Sequence, residues 1–146
     1  MAATDEERRK TIVEQHVRLR QTILWARQTA QDNVGNKVLT DELKTAAIRL
    51  QREVLTHLAD EEEMLDRFLC SRAQESVVQS SLLRAEHAHQ RAVLAMLTGA
   101  GKWPPPGAVA TRMLALCDHL LADMEFEERE LLPRALTTAD PTAAKP

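Results

Sequence analysis

The sequence predicts an all-α protein with an up-down-up-down four-helix bundle, and three observations support this fold class. Hydrophobic residues make up 44% of the 146 residues, but aromatic residues make up only 3%, which favours helices over strands. Four long runs carry apolar residues at alternating spacings of three and four, the pattern of a helix with one buried face. The connections between the runs are mostly short, so consecutive helices are expected to be antiparallel neighbours.

The four helices can be placed from these stripes and from the residues that interrupt them. Proline cannot continue a helix, so the segment 99–107, with its three consecutive prolines, is assigned to a linker. The predicted helices cover approximately 4–32, 40–70, 77–98 and 108–135, with a short break at 71–76. A chain of this length suits one domain. We assign the bundle to 1–136 and a disordered polar tail to 137–146.

Charge and composition exclude several classes of partner. The net charge is -3 and the basic residues are interleaved with acids, so neither a nucleic acid nor an anionic membrane surface is an expected partner. No apolar run approaches the roughly 20 residues needed to span a bilayer. The first residues lack the apolar core of a secretory signal. Cys70 and Cys117 form no CxxC motif and are expected to be reduced, buried thiols. We therefore expect a cytoplasmic protein, as a monomer or a weak homo-oligomer.

Ligand-type side chains interrupt the apolar stripes of the first two helices. His57 and Glu61 are four residues apart, so they lie one above the other on the buried face of the second helix. His16 falls among the inward positions of the first helix. These positions would normally carry apolar residues, so a function for the polar ones is indicated.

The third and fourth helices offer similar groups, but with more than one choice. On the third helix, His87 belongs to one apolar face, whereas Glu86 and His89 belong to an adjacent one. On the fourth, three ligand-type residues stack at steps of four, namely His119, Asp123 and Glu127. The residues alone leave open which of the alternatives on each helix points inward.

These groups are expected to meet in one layer of the bundle. At about 1.5 Å per residue, candidates from all four helices lie within about one or two turns of the same height. Burying several imidazoles and carboxylates without compensation would cost several kcal/mol each, and a metal ion provides that compensation. A mixed His and carboxylate set without Cys suits iron or manganese better than structural zinc.

The donor set can be arranged around two ions. Glu61 and Glu127 can bridge the ions, with terminal ligands from the remaining helix positions, namely His16, His57, His87 and Asp123. With an oxo or hydroxo bridge, these groups fill about ten of the twelve positions of two octahedral ions. About two positions then stay open for small molecules.

The motifs resemble those of the hemerythrin-like, HHE cation-binding family, which has a His on helix 1, HxxxE on helix 2, a His on helix 3 and HxxxE on helix 4. Here EQHVRLR carries His16, HLADEE carries His57 and Glu61, and AEHAHQR carries His87. The segment DMEFEERELLP corresponds to the family's last motif and places Asp123 where the family has its histidine. Either Asp123 is a ligand or His119 joins or replaces it, and His89 stays an alternative on helix 3.

The site and the resemblance together imply a non-haem di-iron protein that binds or reduces a small oxidant, such as O2, peroxide or nitric oxide. The expected cofactor is two iron ions with an oxo or hydroxo bridge, and manganese is the alternative metal. Catalase-like decomposition of peroxide is one activity such a site could have. Two other hypotheses are an iron-binding sensor or storage protein without turnover, and a metal-free helical module for protein-protein contacts.

Overall fold

The computed structural model describes residues 5–69, 74–98 and 102–131. It contains four helices, α1 (Asp5–Asn33), α2 (Asp41–Leu69), α3 (Gln74–Leu97) and α4 (Pro106–Phe126). A π-helical turn, Glu127–Leu131, continues α4. The described residues contain no strand, and α1 and α3 each pack against both α2 and α4. The predicted four-helix bundle is therefore confirmed.

The apolar stripes form the core as their spacing predicts. On α1, five inward positions are each at most 4% exposed, namely Ile12, His16, Leu19, Ile23 and Ala26. On α3, the structure decides between the two candidate faces: Leu83 and Leu94 are buried, whereas Leu82 and Met96 are more than half exposed. His87 lies on the buried face of α3. None of the described helices combines the length and apolar character that a membrane span requires.

The turn between α1 and α2 is fixed by side chains that satisfy the free ends of both helices. Thr40 accepts a hydrogen bond from the backbone N–H of Leu43 at 3.2 Å, so it caps the start of α2. The Thr40 hydroxyl donates to Asn33 Oδ1 at 2.9 Å, and Asn36 Nδ2 donates to the same oxygen at 2.7 Å. The end of α1 is thus joined to the start of α2, which sets the antiparallel register of the pair.

Two predicted boundaries were wrong. The linker was expected to extend to residue 107, but α4 begins at Pro106. A proline fits the first turn of a helix because its missing N–H would have no partner there, and the carbonyl of Pro105 accepts hydrogen bonds from Ala108 and Val109. The third helix begins at Gln74, inside the predicted break at 71–76. The predicted tail, 137–146, lies outside the described residues.

Cys117 is a free thiol with no exposed surface. Burial, with a smaller contribution from Asp118, raises the pKa of this thiol to about 12. It therefore stays protonated and packs as a small apolar side chain, as the sequence predicted. Cys70 lies outside the described residues.

Candidate metal centre

Three imidazoles and two carboxylates meet inside the bundle. The imidazoles belong to His16 on α1, His57 on α2 and His87 on α3. The carboxylates belong to Glu61 on α2 and Glu127 at the start of the π-helical turn. Each of the five residues is at most 5% exposed. Every helix of the bundle, counting the turn that continues α4, therefore contributes to one buried polar layer.

Four of these side chains already have the spacing of a metal site. His16 Nε2 lies 3.1 Å from His57 Nε2 and 3.4 Å from both Glu61 Oε2 and Glu127 Oε2. His57 Nε2 lies 2.9 Å from Glu61 Oε2. One ligand atom from each of the four residues lies within 4.8 Å of the others. Metal-ligand bonds of about 2.1 Å would place opposite ligands about 4.2 Å apart, so one ion fits this group with small side-chain movements.

Glu61 connects this group with a second one. Its Oε2 faces His16 and His57, whereas its Oε1 lies 3.1 Å from His87 Nε2. A carboxylate that presents one oxygen to each of two ligand groups has the arrangement needed to bridge two ions. The bridging role of Glu61 stays a prediction, and the contacts of its two oxygens with imidazoles from three helices are the observation on which it rests.

Asp123 and Gln90 lie on the helix faces that flank the His87 side. Asp123 is one turn before Glu127 on α4, and Gln90 is one turn after His87 on α3. Gln90 Nε2 donates a hydrogen bond to Asp123 Oδ2 at 2.9 Å. Gln90 is 1% exposed and Asp123 is partly buried, so the pair lies at the edge of the polar layer.

Two buried acceptors in this region are poorly satisfied within the described part of the chain. Gln90 Oε1 has no hydrogen-bond partner, and Glu127 Oε2 makes no well-formed hydrogen bond, although it lies 3.4 Å from His16 Nε2. Buried polar atoms are normally paired, because leaving one unsatisfied costs about 1–3 kcal/mol. A cation among His16, His57, Glu61 and Glu127 would satisfy the Glu127 oxygen. The residues present therefore fit a metal ion.

Each imidazole is held from its outer side by a polar group. The Nδ1 atom of His16 lies 3.0 Å from Glu128 Oε1, and that of His87 lies 3.0 Å from Glu62 Oε1. His57 Nδ1 lies 2.9 Å from Gln15 Oε1. An Nδ1–H that donates outward leaves the Nε2 lone pair pointing inward, which is the tautomer a metal ligand needs.

The outer groups are in turn held by residues near the surface. Arg91 donates two hydrogen bonds to Glu62, at 2.7 and 3.0 Å, and Arg20 donates one to Glu128. The Arg91 contact, against opposition from burial, holds the pKa of the Glu62 carboxyl below its usual range. Burial would raise the pKa of Glu128, but Arg20 and His16 lower it below its usual range. Both carboxylates are therefore charged when they accept from the imidazoles.

The buried charges shift one another strongly. Burial opposes protonation of His16 and His87, yet hydrogen bonds to Glu127 and Glu61 raise the pKa of each to about 10. Burial favours the neutral form of Glu61, but its hydrogen bonds with the imidazoles hold its pKa well below its usual range. Burial and the nearby Glu61 raise the pKa of Glu127 to about 8. Without metal, protons therefore occupy positions that a cation would take.

Two of the residues predicted as alternative ligands lie outside the buried cluster of imidazoles and carboxylates. His89 and His119 are exposed, with ring centroids 6.2 Å apart, and His119 Nε2 contacts Glu86 Oε1. His89 is two residues after His87, which turns it about 200° around the helix to the outer surface. The structure thus places His87, and not His89, with the other buried imidazoles. On α4, Asp123 is partly buried, whereas His119 is exposed.

The groups that hydrogen-bond to the outer nitrogens of the imidazoles were not predicted from the sequence. Glu62 and Glu128 follow Glu61 and Glu127 directly, and such acidic doublets near helix ends are usually solvated. The signal that could have found them is the repetition of the doublet on both helices, one turn after a ligand-type residue. Gln15 carries no such signal, because its role depends on a contact between two helices.

The electrostatics predict an effect of pH on the metal-free protein. Unfolding returns the pKa values of His16 and His87 from about 10 to about 6.5, so the stability they contribute is complete below about pH 6.5 and is lost as the pH rises toward 10. We expect the Tm of metal-free protein to fall between about pH 6.5 and 9.5. Metal loading should remove this fall, since the ligands then bind metal instead of protons.

The fall should be smaller in His87→Gln and unchanged in the matched control His89→Gln, whose ring is exposed. Thermal denaturation followed by circular dichroism provides the measurement. A Tm of the metal-free protein that rises over this range would contradict the assignment.

The outer hydrogen bonds predict an effect on metal affinity. Glu128→Gln keeps an acceptor for His16 Nδ1 but removes the charge, so we expect the affinity for Fe(II) to fall about tenfold. The control is Glu125→Gln, three residues earlier on the exposed surface. Competition with a chromogenic chelator measures both. Equal affinities for the two variants would show that Glu128 does not support His16.

Comparison with models of known protein families matches residues 8–135 to the hemerythrin HHE cation binding domain, which is well over half of the chain. Searches of curated proteins and of solved structures found no match. The family match and the buried cluster of His16, His57, Glu61 and Glu127 agree with each other. The resemblance that the sequence motifs predicted is confirmed: this chain belongs to the hemerythrin HHE cation binding domain family.

Proposed function

We propose that this chain is a non-haem di-iron protein that binds or reduces a small oxidant, namely O2, peroxide or nitric oxide. The observation that carries the proposal is the position of Glu61, which presents one oxygen to His16 and His57 and the other to His87. A single-ion site would not need imidazoles on both sides of one carboxylate. Membership of a cation-binding family supports the same conclusion.

The residues divide into two halves that share two carboxylates. His16 and His57 would hold one ion, His87 and Asp123 would hold the other, and Glu61 and Glu127 would contact both. When bound, two iron ions supply the electrons and the open coordination positions for reactions with small oxidants. Manganese is the alternative metal, because His and carboxylate ligands also suit it.

The two halves differ in their donors. One has two imidazoles, whereas the other has one imidazole and the carboxylate of Asp123. A harder, carboxylate-containing set stabilises a higher oxidation state, which favours reduction of an oxidant over its reversible binding. Gln90 contributes by orienting Asp123 through the hydrogen bond from its Nε2.

The polar layer also provides a buried and hydrogen-bonded setting for the ligands. His16 and His87 have no exposed surface, and their outer hydrogen bonds to Glu128 and Glu62 prevent the rings from rotating. Exclusion of water strengthens the electrostatic interactions inside the site and limits side reactions. The chain would thus orient the ligands before a metal binds.

The proposal predicts metal content and turnover together. Protein from iron-replete cells should contain about two irons per chain and should consume at least one of the three oxidants. Glu61→Ala should lose nearly all iron because both halves share this residue, and His57→Ala should lose about one ion. The matched control His89→Ala should keep both. Metal analysis and electrode measurements of peroxide, O2 and nitric oxide provide the readouts.

The outcomes separate the competing functions. Iron bound without consumption of any oxidant would favour a sensor or storage protein. Protein that is equally stable and free of metal after expression in iron-replete cells would instead favour a helical interaction module, and the proposal would fail.

Asp123 and His119 can be compared directly. Asp123→Ala should lower the iron content from about two to about one, because it removes a carboxylate from the half that holds His87. His119→Ala should leave the iron content unchanged, because His119 is exposed and contacts Glu86. Metal analysis of the two purified variants decides between them. Loss of iron in His119→Ala alone would reverse the assignment.

A further inference from the structure

A groove between α1 and α2 lies beside the metal centre and has a volume of about 550 Å³. This is within the range of small-molecule sites, about 300–1,000 Å³. It runs along the outer side of the two helices, and the residues that matter for its chemistry are Arg18, Thr22, Trp25, Arg49, Arg52 and His57. Neither the family match nor the proposed function assigns a role to it.

The groove is positively charged in a chain whose net charge is -3. Its charged lining comprises the guanidinium groups of Arg18, Arg49 and Arg52 and the carboxylate of Glu53. Arg49 Nε donates to Glu53 Oε1 at 3.1 Å, so these two charges compensate each other. The described residues provide no carboxylate partner for Arg18 or Arg52. Two guanidinium groups are thus left to bind an anion.

The lining also has an apolar part. The indole of Trp25 is 39% exposed, and the Arg49 guanidinium lies 5.2 Å from its ring centroid, a cation-π contact that holds both side chains. Leu19 and the methyl-bearing side chains of Thr22 and Thr56 complete this part of the lining. An occupant with an organic body as well as a charged group would therefore fit better than an inorganic ion.

The groove reaches the outer edge of the metal centre through His57. This residue is 5% exposed, whereas His16 and His87 have no exposed surface. Gln15, whose Oε1 lies 2.9 Å from His57 Nδ1, also lines the groove. A molecule bound there would lie against the pair that orients one of the metal ligands.

We infer that this groove binds a small organic anion that carries a carboxylate or a phosphate group on an apolar body. The guanidinium groups of Arg18 and Arg52 bind the charged group, since their planar donors match the oxygens of either anion. Trp25 and its apolar neighbours contact the body of the molecule. The anion then occupies a position between the solvent and His57.

Isothermal titration calorimetry on the full chain tests the inference. The probes are benzoate as the carboxylate, phenyl phosphate as the phosphate, benzyl alcohol as the neutral analogue and inorganic phosphate as the anion without an apolar body. At least one of the first two should bind saturably, and whichever binds identifies the charged group. Benzyl alcohol and inorganic phosphate should each bind at least about tenfold more weakly.

Variants locate the binding. Arg18→Gln and Arg52→Gln should each weaken binding about tenfold, and Arg18→Lys should lose less than Arg18→Gln. The control Lys44→Gln removes the same charge from α2 outside the groove and should not change binding. Circular dichroism confirms that each variant is folded.

A second readout uses the indole in the groove. Trp103→Phe leaves Trp25 as the only tryptophan of the chain, so its fluorescence should change with the same Kd as the calorimetric titration. Failure of both aromatic anions to bind, or equal binding by wild type and an Arg18→Gln/Arg52→Gln double variant, would overturn the inference. The titrations need no iron, so a failure of the proposed di-iron function would leave their outcome unaffected.

Discussion

The burial of Glu61 is the constraint on which the rest of the site depends. A carboxylate that is 1% exposed would cost several kcal/mol if nothing compensated it. Here three imidazoles from α1, α2 and α3 lie within 3.4 Å of its oxygens. Since those imidazoles come from three helices, the antiparallel register of the bundle has to be correct before Glu61 can be buried. The fold and the site are therefore stabilised by the same contacts.

From Glu61 toward the surface, acidic and basic side chains alternate. The buried carboxylates contact imidazoles, the imidazoles contact Glu62 and Glu128, and these contact Arg91 and Arg20 near the surface. Each group thus has an opposite or complementary neighbour on both sides. This arrangement keeps the Nε2 atoms directed inward, so a cation would replace protons with only small movements of the side chains.

The sequence predicted the parts of this arrangement that depend on position along one helix. His57 and Glu61 follow from a spacing of four, and His16 follows from its place in the stripe of α1. The choice between His87 and His89 did not follow, because two adjacent faces of α3 are apolar and only packing against α2 and α4 selects one. The outer partners did not follow either: His16 and Glu128 are 112 residues apart, and their contact exists only in the folded bundle.

The three buried imidazoles differ in the groups that hold them from the outer side. His87 is held by Glu62, whose carboxylate is fixed by two hydrogen bonds from Arg91. His16 is held in the same way by Glu128, which Arg20 contacts. His57 is held by Gln15, a neutral amide at the edge of the groove whose Nε2 donates to Asp60 Oδ2 at 2.6 Å. A neutral amide exchanges hydrogen-bond partners at lower cost than a paired carboxylate does. A molecule in the groove would therefore act on His57, whereas His16 and His87 are each held by a carboxylate that an arginine contacts.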